Sequence, residues 1–206
     1  MPLFKTIKHK EQTHILVWRI TETLDELKQG ISLVESSVKR LENTHSEQHQ
    51  KGFVSIRQLL KIMGYADADL FYTADGKPHL KDGKRISITH SFDFSAIIIS
   101  DFAVGIDIEM NREKILKIAP KFMSEEWDFY DENQGVEFLT VIWGAKESLY
   151  KIHPDGGLLF KEHLPIEPFQ LKDGKTKGWI KKDKYYEFFC IYFESFEGYT
   201  LVFAAN

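Results

Sequence analysis

Cysteine is almost absent from this chain of 206 residues. Cys190 stands alone, so no disulfide can form within the chain, and a reducing compartment, the cytoplasm, is the expected setting. Its surroundings, Phe188-Phe189-Cys190-Ile191-Tyr192, read as a strand, which makes it a packed side chain rather than a reactive thiol. Long apolar runs are missing too. The longest, Ala96 to Ile99, is far too short to cross a bilayer, and Met1-Pro2-Leu3-Phe4-Lys5 has no apolar stretch of the secretory kind, so no membrane role is expected. Nor is there an excess of positive charge. With 27 Lys and Arg against 31 Asp and Glu, the net charge is −4, which argues against general nucleic-acid binding. What is present is ordinary for a soluble protein with a sizeable core: 43% hydrophobic and 28% charged residues.

The pattern of apolar residues gives the organisation. His14 to Ile20 reads as a strand, Leu33 to Asn43 and Phe53 to Met63 as helices, and Leu70 to Thr73, Ile86 to Phe92 and Ser95 to Ser100 as strands. The order then repeats. Ala103 to Glu109 is a strand, Arg112 to Tyr130 holds one or two short helices, and Val136 to Tyr150 forms a longer helix. Ile166–Leu171, Lys175–Lys181, Tyr185–Glu194 and Tyr199–Ala204 follow as strands. This predicts an α+β fold of two pseudo-symmetric subdomains, each with antiparallel strands and helices, spanning 1–101 and 102–206.

Two segments carry chemistry. In Val104-Gly105-Ile106-Asp107-Ile108-Glu109 the apolar residues alternate with the others, and a strand's period of two puts Asp107 and Glu109 on one face. In Trp143-Gly144-Ala145-Lys146-Glu147-Ser148-Leu149-Tyr150-Lys151, helical spacing puts Trp143, Glu147 and Lys151 on one face. Three carboxylates with lysines beside them suit Mg²⁺ held against a phosphorylated substrate, because Mg²⁺ takes hard oxygen ligands and shares them with phosphates.

With these residues in view, the chain resembles the 4′-phosphopantetheinyl transferases of the larger, surfactin-synthetase-activating type. That family carries (V/I)-G-(I/V)-D-(I/V)-E followed by W-(S/G/A)-x-K-E-(A/S)-x-x-K, and both are matched here without a break. Gly76-Lys77-Pro78 resembles the family's G-K-P loop, and Ile88-Thr89-His90-Ser91 resembles its S/T-H-S/T strand. The resemblance covers about Gly76 to Lys151. It implies a Mg²⁺-dependent enzyme that moves the 4′-phosphopantetheine arm of coenzyme A to a serine hydroxyl of an apo acyl or peptidyl carrier protein. Adenosine 3′,5′-bisphosphate is released. The smaller members of the superfamily are half this length and assemble from copies, so a chain with both halves is expected to be a monomer.

The resemblance also implies roles. Asp107 and Glu147 contact the metal, and Glu109 either ligates it or holds a coordinated water. Lys151 offsets charge on the departing bisphosphate, and Lys146 faces either ligand or solvent. On the coenzyme A side stand Lys77, Pro78, Thr89, His90 and Arg57. Where the family often carries an arginine ahead of Gly52, this chain has His49-Gln50-Lys51, so His49 or Lys51 is an alternative contact, as are Lys39 and Arg40. The proton acceptor for the serine is Glu125 or Glu126, Glu147, or a metal-bound hydroxide. Met110–Phe122, or the six lysines between Lys172 and Lys184, would meet the carrier. The competing functions are a Mg²⁺-dependent phosphodiesterase and a non-catalytic coenzyme A or carrier-binding protein. Fatty-acid, polyketide and peptide-synthetase carriers all stay open.

Overall fold

Two antiparallel sheets, each backed by helices, organise the computed structural model, which describes residues 3–154 and 156–206. The chain divides into two compact units, Met1–Phe102 and Ala103–Asn206. The first unit contains β1 (Leu3–His9), β2 (Thr13–Arg19), α1 (Leu24–Lys28), α2 (Glu35–Glu42), α3 (Glu47–Ile62), β3 (Leu70–Tyr72), β4 (Pro78–Leu80), β5 (Arg85–Ser91) and β6 (Phe94–Ser100). Its main sheet has the order β1-β2-β6-β5, and β3 and β4 form a separate hairpin. Helix α3 begins where the Ser46 hydroxyl accepts from the amide of His49. It buries Ile56, Leu59 and Leu60 together with Leu16, Ile97 and Ile99 of the sheet.

Arg57 lies inside this packing, which corrects its assignment as a coenzyme A contact. Its Nε donates to Asp67 Oδ1 at 2.9 Å, its Nη1 donates to the carbonyl of Phe53 at 3.1 Å, and its guanidinium carbon lies 3.5 Å from the Phe53 ring centroid. Asp67 Oδ2 in turn accepts from the amide of Val34 at 2.9 Å, at the start of α2. The guanidinium is spent on bracing α3 against α2.

The second unit runs β7 (Gly105–Met110), α4 (Lys114–Phe122), α5 (Gly135–Ile152), α6 (Phe160–His163), β8 (Lys175–Lys182), β9 (Tyr185–Phe196) and β10 (Tyr199–Ala205), with sheet order β7-β10-β9-β8. The first strand of this unit pairs with its last, and the last with the one before it. In the first unit it is the second strand, β2, that pairs with the last, β6, which in turn pairs with β5. The core packs Phe138, Leu139, Ile142 and Leu149 of α5 against Phe189, Ile191 and Val202. The strand expected over Ile166–Leu171 does not form; that segment makes one bridge, Ile166 to Gly178. Pro165 and Pro168 flank Ile166 and Glu167, and a proline has no N–H with which to extend a ladder.

Candidate active site

Helix α5 lies on β7 and β10 more closely than side chains would ordinarily permit, and two glycines explain it. A Cβ on Gly105 would collide with the carbonyl oxygen of Ser148, and one on Gly144 would sit 2.7 Å from Val202 Cγ2. Both positions need hydrogen alone for the helix backbone to reach the sheet. The Ser148 hydroxyl then donates to the carbonyl of Val202 at 3.2 Å. Val202 is the register partner of Asp107, so the same contact delivers the Glu147–Lys151 face of α5 to Asp107.

Lys151 Nζ donates to Asp107 Oδ1 and to the carbonyl of Ile106, both at 2.8 Å. The Asp107 side chain is 6% exposed and that of Lys151 26%. Glu147 is held well above the usual carboxylate range, pushed up to about 7. Burial is the largest cause, followed by the Asp107 charge; the Lys151 ammonium pulls the other way, and Glu109 adds a further push. The three carboxylates therefore share one electrostatic site in which Lys151 is the cation that opposes the rise. Among the described residues, no three His, Cys, Asp or Glu side chains form a ready metal cage. Beside Glu109 opens a pocket of about 190 Å³ lined by Met110, Arg112, Lys114, Ile115, Ile118, Thr140 and Trp143. Trp143 is fixed there by the rings of Phe122 and Phe160, at centroid distances of 5.2 and 5.3 Å. The motif reading missed Arg112 and Thr140; the signal for Arg112 was its place directly after the acidic strand.

Two expected site residues belong elsewhere. Lys146 and Glu126 are both 0% exposed and pair at 2.7 Å. Lys146 Nζ also donates to the carbonyl of Phe160 at 3.1 Å. Glu126 accepts from the amide of Ser124 at 2.8 Å and from the amide of Ile166 at 3.0 Å. Sealed and satisfied in this way, Glu126 is not placed to deprotonate an incoming serine, and Lys146 faces neither ligand nor solvent. The neighbouring Glu125 is exposed.

In the first unit, strand alternation separates Thr89 from His90. The Thr89 side chain is buried on one face of β5, while the exposed His90 ring lies over α3, where a Cβ on Gly52 would come within 2.9 Å of it. The His49 ring is 5.8 Å away, centroid to centroid. Lys51 pairs with Glu47 at 3.1 Å and Lys39 with Glu35 at 2.6 Å, whereas Arg40 lies over the Tyr72 ring at 4.7 Å. Lys77 and Pro78 are half-buried where the 73–77 turn leads into β4; the Lys77 carbonyl accepts from the Thr73 amide at 3.0 Å.

The second unit is similar to known proteins. Residues 103–204 match the family model of the 4′-phosphopantetheinyl transferase superfamily. A relative, the 4′-phosphopantetheinyl transferase gsp of Aneurinibacillus migulanus, is 29% identical over 150 residues, which is 69% of this chain. The matched stretch spans 61% of that relative's length. The part of the chain that matches the 4′-phosphopantetheinyl transferase superfamily is thus the unit that carries Asp107, Glu109, Glu147 and Lys151.

Proposed function

We propose that this protein transfers the 4′-phosphopantetheine group of coenzyme A to a serine hydroxyl of an apo carrier protein, with Mg²⁺ as cofactor. The observation that carries the reading is the meeting of Asp107, Glu109, Glu147 and Lys151 at one place between β7 and α5. The donor chemistry fits Mg²⁺, which characteristically takes a few carboxylates and completes its shell with water and substrate phosphates, so a closed protein cage is not required. Asp107 and Glu147 would hold the ion, with Glu109 as a third ligand or as the holder of a coordinated water. Bound there, Mg²⁺ would neutralise pyrophosphate charge and make the phosphorus more open to attack.

The reaction forms a bond from the serine Oγ to the phosphorus on the pantetheine side and breaks the bond from that phosphorus to the bridging oxygen. Adenosine 3′,5′-bisphosphate departs with the electron pair, and the serine proton must be taken up. Glu126 is committed to Lys146, so the proposed proton acceptor is a metal-bound hydroxide, Glu147 or the exposed Glu125. Lys151, on the same helix face one turn on, would offset the charge that grows on the bridging oxygen. Lys77, Pro78 and His90 are the proposed coenzyme A contacts of the first unit, with Thr89 contributing through its backbone and His49 beside His90. The single cysteine suits the cytoplasm, and the reading includes a monomeric enzyme.

The test is mass spectrometry of candidate apo carriers incubated with the protein, coenzyme A and Mg²⁺. One added phosphopantetheine mass is expected, lost when the metal is chelated. Consumption of coenzyme A without an acceptor would point instead to a phosphodiesterase, and full transfer in excess chelator would overturn the metal assignment.

A further inference from the structure

The transfer reaction leaves the sealed pair Lys146–Glu126 without a task. A buried ion pair is a poor stabiliser compared with apolar side chains of the same volume, because removing two charges from water offsets most of their attraction. Stability alone does not account for it, and its position suggests another role. Lys146 and Glu147 are consecutive on α5 and point about 100° apart around the helix. Glu147 faces the carboxylate site, while Lys146 reaches into a junction of four separate stretches of chain. These are α5 itself, the turn at Ser124–Glu126, the Phe160 carbonyl of α6, and Ile166, which bridges to β8.

On its sheet side α5 is held by the apolar packing of Leu139, Ile142 and Leu149, by the Ser148 hydroxyl on the Val202 carbonyl, and by Lys151 on Asp107 and the Ile106 carbonyl. Lys146 anchors a second side of the helix, to the turn at Ser124–Glu126 and to α6.

We propose that Lys146 and Glu126 are positioning residues for the transfer reaction, an ionic pin that fixes the rotation and axial register of α5 and so sets where Glu147 and Lys151 meet Asp107. The inference rests on the transferase reading above. A displacement of about 1 Å at a catalytic group is enough to lower a rate by on the order of a hundredfold, so such a pin acts on turnover without touching substrate.

The experiment compares wild type with Lys146→Met/Glu126→Gln, which removes both charges together; the glutamine carbonyl keeps an acceptor for one of the amides of Ser124 and Ile166 and gives up the other. Four quantities are read: the thermal midpoint, Mn²⁺ affinity by calorimetry on the enzyme alone, and kcat and KM for coenzyme A with an apo carrier. The midpoint should stay within about 4 °C of wild type. Mn²⁺ affinity and kcat should each fall about tenfold or more, with KM changed by less than about threefold. A folded double variant with wild-type Mn²⁺ affinity and kcat overturns the proposal. Should that variant not fold, Glu126→Asp keeps both charges and shortens the pin by one methylene; it must lower Mn²⁺ affinity and kcat in the same direction, and unchanged values overturn the proposal equally. Absence of transfer by wild type would refute the transferase reading, while the Mn²⁺ comparison would still decide the pin.

Discussion

Replacing Glu147 with glutamine should stabilise the metal-free protein at alkaline pH while abolishing transfer. The folded state raises this carboxyl from 4.5 to about 7, mainly by burial and then by the nearby Asp107 charge. The folded chain thus holds the proton more tightly than the unfolded chain does. Raising the pH from 4.5 to about 7 therefore favours unfolding at this site; the penalty is absent below 4.5 and fully developed above about 7. At about 1.4 kcal/mol for each pH unit, the interval corresponds to about 3 kcal/mol. The amide that replaces the carboxyl does not titrate, and the other groups titrate nearly alike in both proteins, so their difference isolates the site. Urea unfolding in EDTA should show the variant gaining about 3 kcal/mol on wild type between about pH 4 and pH 8.5. Saturating Mg²⁺ at the upper pH should stabilise wild type more than the variant, because the ion binds a carboxylate that the variant lacks. A gap that stays constant across this range would refute the argument that burial and Asp107 jointly strain Glu147.

Lys151→Met keeps most of the aliphatic stem and removes the charge; kcat should fall by about a hundredfold or more, with KM for coenzyme A changing less, and an effect confined to KM would make Lys151 a ground-state anchor. Gly105→Ala would drive a Cβ into the Ser148 carbonyl, and a loss of about 3 kcal/mol or more in denaturant unfolding is expected, whereas a change below about 0.5 kcal/mol would contradict the close approach of α5 to β7. His90→Ala should raise KM for coenzyme A by about tenfold with kcat little affected; an unchanged KM would remove His90 from the ligand side.

Local chemistry made much of this protein legible before any fold was known. Alternation in Gly105-Ile106-Asp107-Ile108-Glu109 requires two carboxylates on one strand face, and helical spacing requires Glu147 and Lys151 on one helix face, whatever surrounds them. Apolar periodicity located most strands and the long helices, although β1, α1, β4 and α6 escaped it. The second of these announces itself through Thr23 and Glu26, whose capping box is a signal in residue type rather than in hydrophobic period. Periodicity failed over Ile166–Leu171 because it registers apolar faces and not the missing N–H groups of two prolines.

Only the tertiary structure decided where the charges go. Lys146 and Glu147 are neighbours in sequence, yet one is sealed against Glu126 and the other stands in the acidic site, because the helix turns between them while different elements pack on each side. Arg57 had the spacing of a ligand contact, but Asp67, ten residues on, was folded back beside it. Residue order alone determines which side chains share a face of their own element. Which partner meets that face, and whether a charge ends beside water, a ligand or an opposite charge, depends on packing between segments far apart in the chain.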